Sequence, residues 1–505
     1  MNRIQTCTIT AALVMAAASS TLLAKAGIPP RPEQIKFAEL AFEPPMSEDY
    51  RHEINVDGAT VPVYMAPSHE FPLVSISFSF KGGAYLEPAD KVGLASMTGQ
   101  MMRRGGTESV SPTDMDELFD FYAANAGTFV GSTQAGASLN SLTSNLDQTF
   151  ALFMDMVRNP GFDQKKIDLY KSEAIEGMKQ RNDDANAIAS REWDAIMWGR
   201  DHFEARVTTE TTLNNITRDD LIAFHDKLFN PNNLIISVTG DFEPSEMSAR
   251  LEKALSGWAS GQRMPDPPAP TQEHEPGVYH VEKDVPQGKV TFGHRGLKRD
   301  DPDAIPVAIM NDILGGGGFT SRIMNRVRSD EGLAYGAGSF FASKVWYPGE
   351  FGVTYASKSA TVPYALRVAM EEINKMRTEP VTEEELMTAK NQAIETFPRT
   401  FESKDGMLSV FVGDEWTNRD PSYWTTYRDK VRAVSQDDVL RVARQYLDPA
   451  NVAILIVGKW EDIYKGNTEI AADPSKVTTM ADFFDGHAEE LPLRDPLTQK
   501  PLPKN

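Results

Sequence analysis

The stretch Ile216-Thr217-Arg218-Asp219-Asp220-Leu221, continued by Asn230-Pro231-Asn232-Asn233-Leu234 and Gly240-Asp241-Phe242, occurs twice in this chain. The second copy reads Val434-Ser435-Gln436-Asp437-Asp438-Val439, then Asp448-Pro449-Ala450-Asn451-Val452 and Gly458-Lys459-Trp460, displaced by 218 positions throughout. Each copy opens as a Ser/Thr-capped helix. An Asn/Asp-Pro turn follows, and then an apolar run closed by Gly, at 234–238 and 452–457, which predicts a buried strand. A weaker match sets Lys171 and Ala174-Ile175-Glu176 beside Lys390 and Ala393-Ile394-Glu395, offset by 219. A near-constant offset across separate matches marks an internal duplication.

The two halves flank a Pro-rich stretch, Met264-Pro265-Asp266-Pro267-Pro268-Ala269-Pro270 through Glu275-Pro276, which reads as an extended linker. Each half mixes strands and helices. Val74, Ile76, Phe78 and Phe80 alternate with Ser75, Ser77 and Ser79, the period of a half-buried strand. Ser111-Pro112 opens a helix that is apolar at Met115, Leu118, Phe119 and Tyr122 and is expected to end at Gly127. In the second half, Val290 and Phe292 repeat the strand pattern, and residues 364–376 read as a core helix. The fold class is α+β, with strands and helices in separate layers.

At its start the chain reads as an export signal, with Arg3, an apolar run at 11–23, and the small-x-small site Ala24-Lys25-Ala26. That run is shorter than the roughly 20 residues of a membrane span. In a bacterium the expected destination is the periplasm. The single cysteine, Cys7, lies in the signal, which leaves no thiol for catalysis or metal binding. A net charge of −21 argues against nucleic acid or an anionic membrane as partner. The expected division is signal 1–26, extension 27–50, first domain 51–262, linker 263–277, second domain 278–462 and a polar, Pro-containing tail 463–505. The sequence leaves open whether that tail lies on the domains or on a partner.

Two motifs carry the chemistry. Val92-Gly93-Leu94-Ala95 precedes Ser96-Met97-Thr98-Gly99-Gln100, and Met101-Met102-Arg103-Arg104-Gly105-Gly106-Thr107 follows. This frame resembles the metal-binding segment of the pitrilysin/insulinase family of zinc metallopeptidases, whose five middle residues read H-x-x-E-H. Two histidines one helical turn apart hold zinc there, and the Glu serves its bound water. Here Ser96 and Gln100 stand at the histidine positions and Gly99 at the glutamate. The family's third ligand, a Glu, falls at Gly177 or, one residue earlier, at Glu176. The eight histidines show no metal-ligand spacing and read as surface or capping residues.

The second motif is retained. Gly315-Gly316-Gly317-Gly318-Phe319-Thr320-Ser321-Arg322 leads to Val327-Arg328-Ser329-Asp330-Glu331-Gly332-Leu333-Ala334-Tyr335. It lacks the G-K-[ST] ending of a nucleotide-binding loop. It is similar to the family's second-half signature, a Gly-rich turn followed by R-x-x-x-G-L-x-Y. The resemblance implies that Arg328 holds a substrate carbonyl or carboxylate and Tyr335 donates to an oxyanion. It further implies that Gly315 to Gly318 contact substrate, as the corresponding loop does in the non-catalytic subunit of mitochondrial processing peptidase. The implied fold is two homologous domains, each an antiparallel-rich sheet with helices on one face, forming half of a clamshell chamber.

From this resemblance the expected function is the non-catalytic subunit of a heterodimeric zinc peptidase. No cofactor is expected on this chain, and zinc is expected on a homologous partner carrying H-x-x-E-H. A scaffold protein of the same fold with no part in proteolysis is the alternative.

Overall fold

A computed structural model describes residues 41–503 of the 505. The expected signal, 1–26, and the first part of the expected extension, 27–40, lie outside the described residues. The first sheet contains β1 (Arg51–Val56), β2 (Ala59–Pro67), β3 (Leu73–Lys81), β4 (Asn125–Val130), β5 (Gln134–Leu142) and β6 (Leu234–Gly240), in the order β1-β2-β6-β3-β5-β4. The second contains β7 (Gly277–Glu282), β8 (Gln287–Arg295), β9 (Ala334–Ala342), β10 (Glu350–Lys358), β11 (Ala453–Gly458) and β12 (Ala488–Glu490), in the order β12-β7-β11-β8-β10-β9. Residues 258–276 join the two sheets without helix or strand.

The duplication is visible down to single residues. β2 runs parallel to β6, as β7 does to β11, and the remaining pairs are antiparallel except β12 with β7. On the outer strands Phe129 lies across from Gly136, and Phe340 across from Gly352. In both pairs the aromatic ring fills the space a glycine side chain leaves empty.

The helices that bear on the site are α1 (Leu94–Arg104), α2 (Pro112–Phe121), α3 (Leu146–Arg158), α4 (Gln164–Lys179), α5 (Ala185–Trp198), α6 (Arg218–Leu228), α7 (Val362–Thr378), α8 (Lys404–Thr417) and α9 (Gln436–Tyr446). The repeated stretch forms α6 and α9. Thr217 with Asp220, and Ser435 with Asp438, make reciprocal caps at their N-termini, worth about 1 kcal/mol each. The expected strands after them are β6 and β11, and residues 364–376 lie within α7.

One element differs from its sequence reading. α2 starts as expected, with the Ser111 hydroxyl accepting from the Asp114 N–H at 3.2 Å. It stops at Phe121 instead of continuing to Gly127. Ala123 takes a left-handed φ of 49°, and residues 125–130 pair with β5 as an edge strand. The open edge of β5 outweighs the local helical pattern.

The halves also exchange helices. α5, from the first half, packs on β8 and β11 of the second sheet, where Ile188, Trp193 and Met197 share a core with Val281, Leu455 and Val457. α8, from the second half, packs on β2 and β6 of the first sheet. There Glu415 accepts from Arg51 at 2.9 and 3.1 Å and from the Tyr64 hydroxyl. Covered on both faces, β6 and β11 are buried along nearly their whole length, in keeping with their largely apolar sequences.

The tail lies on this chain. β12 adds the sixth strand to the second sheet, beside β7. Beyond it the chain turns onto the first half. The Arg494, Pro496 and Leu497 carbonyls accept from Asn182 Nδ2 (2.8 Å), Arg181 Nη1 (3.1 Å) and the Glu210 N–H (2.9 Å).

Candidate functional site

α1 carries the first motif. The Glu87 carboxylate accepts from the N–H groups of Gly93 (3.2 Å) and Ala95 (2.6 Å) and so anchors the start of the helix. Burial raises the Glu87 pKa, and the two N–H donors and Arg206 partly offset this. Met97, Thr98, Met101 and Met102 face the core, leaving Ser96 and Gln100 exposed one turn apart. The Ser96 hydroxyl is 3.4 Å from that of Tyr170 on α4, and Arg104 pairs with Glu173 on the same helix at 2.8 Å. α1 and α4 are therefore neighbours, as a ligand set drawn from both would require.

The side chains present do not fit zinc. Ser96 and Gln100 offer a hydroxyl and an amide where imidazoles are needed. Gly177 is exposed with no atoms around its missing side chain, and Glu176 is ion-paired to Lys179 at 2.6 Å. Gly99 is closed outright. A Cβ there would lie 2.4 Å from the Val130 nitrogen and 2.7 Å from the Phe129 carbonyl carbon of β4. Among the described residues no group of three or more His, Cys, Asp or Glu could hold a metal ion.

The histidines differ in part from their sequence reading. His225, His274, His280 and His294 are buried instead of lying on the surface. The His225 ring Nε2 is 2.8 Å from the Val157 carbonyl, and His294 Nε2 accepts from the Asp448 N–H at 3.1 Å. They tie helices and strands together through the main chain.

The second motif is largely a series of helical turns, broken at Gly317 and at the extended Ser321, and not an open loop. The helix Ala304–Asn311 widens into a π-helical turn, Asp312–Gly316, which holds Gly315 and Gly316. A 3₁₀ turn, Gly318–Thr320, follows, and a second π-helical turn, Asn325–Asp330, holds Arg328. Gly315 presses on edge strand β9, where a Cβ would lie 2.4 Å from the Ser339 nitrogen. Both motifs thus meet the backbone of an edge strand through a glycine: Gly99 on β4 and Gly315 on β9.

Three arginines in this segment have different fates. Arg322 makes a two-pronged pair with Glu385 at 2.6 and 2.8 Å, and Arg326 pairs with Glu331 at 2.8 Å. Arg328 has no carboxylate partner among the described residues. Its guanidinium lies between two rings, 4.8 Å from the centre of Phe319 and 4.6 Å from that of Tyr335. Both rings face solvent, Tyr335 at 88% and Phe319 at 67% exposure. The structure therefore brings Arg328 and Tyr335 together and adds Phe319, which sequence reading passed over. Its signal was its place as the first residue after the glycine run.

The expected signal peptide is outside the described residues, and no helix among those described is long and apolar enough to cross a membrane.

Residues 215–393 match the family model described as the peptidase M16 inactive domain. The non-peptidase homolog YmxG of Helicobacter pylori is 24% identical over 362 residues, covering 70% of this chain and 82% of that protein. The crystal structure of a peptidase M16 inactive domain from Pseudomonas fluorescens is similar with a TM-score of 0.72 and 22% identity, covering 81% of this chain and 97% of that one. The periplasmic protease PqqL from Escherichia coli is similar with a TM-score of 0.68 and 15% identity, over 88% of this chain and 50% of that one. The resemblance read from the two motifs and the architecture of the two sheets agree with these matches: residues 215–393 are similar to the peptidase M16 inactive domain, and the fold is that of the solved M16 inactive domain.

Proposed function

We propose that this protein is the non-catalytic subunit of a two-chain periplasmic zinc peptidase. A homologous partner with an intact H-x-x-E-H motif holds the zinc, and peptide-bond cleavage belongs to that partner. This chain contributes half of the chamber wall, with edge strands β4 and β9 available to pair with an extended peptide. Arg328 holds a peptide carbonyl or carboxylate, the Tyr335 hydroxyl donates to the oxygen that gains charge, and Gly315 to Gly318 let the peptide approach the main chain.

The observation that carries this reading is the contrast between the two motifs. The first is closed at Gly99, whereas the second presents, between two exposed rings, a guanidinium with no carboxylate partner among the described residues. The Helicobacter pylori relative, a non-peptidase homolog, supports the non-catalytic role, and the periplasmic protease from Escherichia coli supports the compartment.

The test is reconstitution. Alone, the chain should cleave nothing. Mixed with a homologous exported chain bearing H-x-x-E-H, it should yield peptidase activity. Arg328→Ala or Tyr335→Phe should cut turnover at least tenfold while co-elution of the two chains persists. Full turnover in both variants would reject the contribution to the active site and leave the scaffold alternative.

A further inference from the structure

A cavity of about 660 Å³ lies where α5 crosses the second sheet, beneath the Gly-rich segment. This volume falls within the usual range for a ligand site, roughly 300–1,000 Å³. Its floor is set by strand alternation. Val290 and Phe292 of β8 are buried, so Lys289 and Thr291 point to the opposite face and into the cavity. Thr354 and Ala356 of β10 lie directly across from Thr291 and Lys289 and continue the floor. Ser190 and Trp193 of α5 form one wall, and Gly315, Gly316 and Gly318 form another.

The charge of this cavity is unlike that of the chain. Among the described residues no Asp or Glu lines it, although the protein carries a net charge of −21. Lys289 has no ion pair or hydrogen bond to its side chain among the described residues. Glu350, at the start of β10, is bound to the Trp193 indole N–H at 3.0 Å and does not belong to the lining. The cavity beside α8 shows the contrast. It is lined by Glu48, Asp414, Glu415 and Asp420, and its two arginines, Arg51 and Arg419, are already paired with carboxylates.

We propose that this cavity is a carboxylate-binding subsite for the held peptide, with Lys289 as its counter-charge and the hydroxyls of Ser190, Thr291 and Thr354 as further donors. The proposal rests on the peptide-holding role argued above. A lysine beside the Thr291 and Thr354 hydroxyls, in a lining otherwise mostly apolar and sheltered by α5, suits a charge-assisted hydrogen bond to a carboxylate. That group is either the C-terminal carboxylate of the peptide or an acidic side chain within it.

The experiment is fluorescence anisotropy with the purified chain and a short, unstructured, dye-labelled peptide that has one internal glutamate and a free C-terminus. Two control peptides separate the sources: one amidated at its C-terminus, one with glutamine in place of the glutamate. One of the two should bind at least tenfold more weakly than the parent. Lys289→Met should weaken the parent peptide to the same level and erase the difference between parent and control, and Lys289→Arg should restore most of it. Thr354→Glu, which places an anion on the cavity floor, is an independent second variant and should act like Lys289→Met. If peptides bind without regard to either carboxylate, or if the preference survives both Lys289→Met and Thr354→Glu, this subsite is wrong and the subunit role stands. If no peptide binds in any form, both fall.

Discussion

The Thr128 hydroxyl donates to the Gly99 carbonyl at 2.6 Å and ties edge strand β4 to helix α1 where the family's catalytic glutamate would stand. The contact is close because Gly99 has no side chain to hold the strand away. The degenerate motif is thus a packing joint, and a glutamate at Gly99 would have to part α1 from β4.

Gly99→Ala gives this contact a definite sign. Glycine within a helix costs about 1 kcal/mol relative to alanine, so a roomy site would gain stability from the change. The approach of Val130 and Phe129 predicts the reverse, a loss of about 1–3 kcal/mol from overpacking. Chemical denaturation of the two proteins decides between them, and a stabilised alanine variant would reject the close contact.

Phe319→Ala removes one side of the stack around Arg328. The ring is largely exposed, so stability should change by less than about 0.5 kcal/mol. Turnover of the reconstituted pair should fall several-fold as the guanidinium loses its fixed place. Unchanged turnover with unchanged melting would show that Tyr335 alone positions Arg328.

Ending the chain at Glu490 keeps β12 but removes the strap that Arg181, Asn182 and Glu210 hold. These three hydrogen bonds, that of the Leu491 N–H to the His280 carbonyl, the Arg494–Glu192 ion pair and the packing of Leu491 and Leu493 against the α5 core are lost. The expected destabilisation is about 3 kcal/mol or more, read as a lower melting temperature. A truncated chain that melts with the full one would show that the strap adds nothing to the union of the halves.

Asp194, on α5, predicts a pH dependence. Burial, and then the nearby charges of Glu350 and Glu204, push its pKa up to about 7, against some relief from Lys344. The folded protein then holds a proton that the unfolded chain gives up near pH 4. Stability from this group is present below that pH and is lost as pH rises through 7. Asp194→Asn should flatten this slope and leave the protein more resistant to urea at pH 8 than the parent. Parallel urea midpoints for both proteins from pH 5 to 8 would remove Asp194 as the cause.

What was legible in the sequence is what depends on local period and local chemistry. The Thr217 and Ser435 caps, the strands after them and the alternation of Val74 to Phe80 appear where they were read. The seven-residue step from Arg328 to Tyr335 was legible, whereas the closing of Gly99 was not, since it depends on a strand about thirty residues away. The α2 pattern could be followed to its start but not to its end, because the edge of β5 claims residues 125–130.

By itself, then, the sequence determined that this protein is two copies of one α+β unit with one altered and one retained motif, because repeats, caps and strand alternation are written in neighbouring residues. Only the tertiary structure decided which half each exchanged helix covers, that the tail binds both halves, and that Phe319 joins Arg328 and Tyr335. The physical reason is that an apolar helix face or a free strand edge specifies that it must be covered, not by which distant segment.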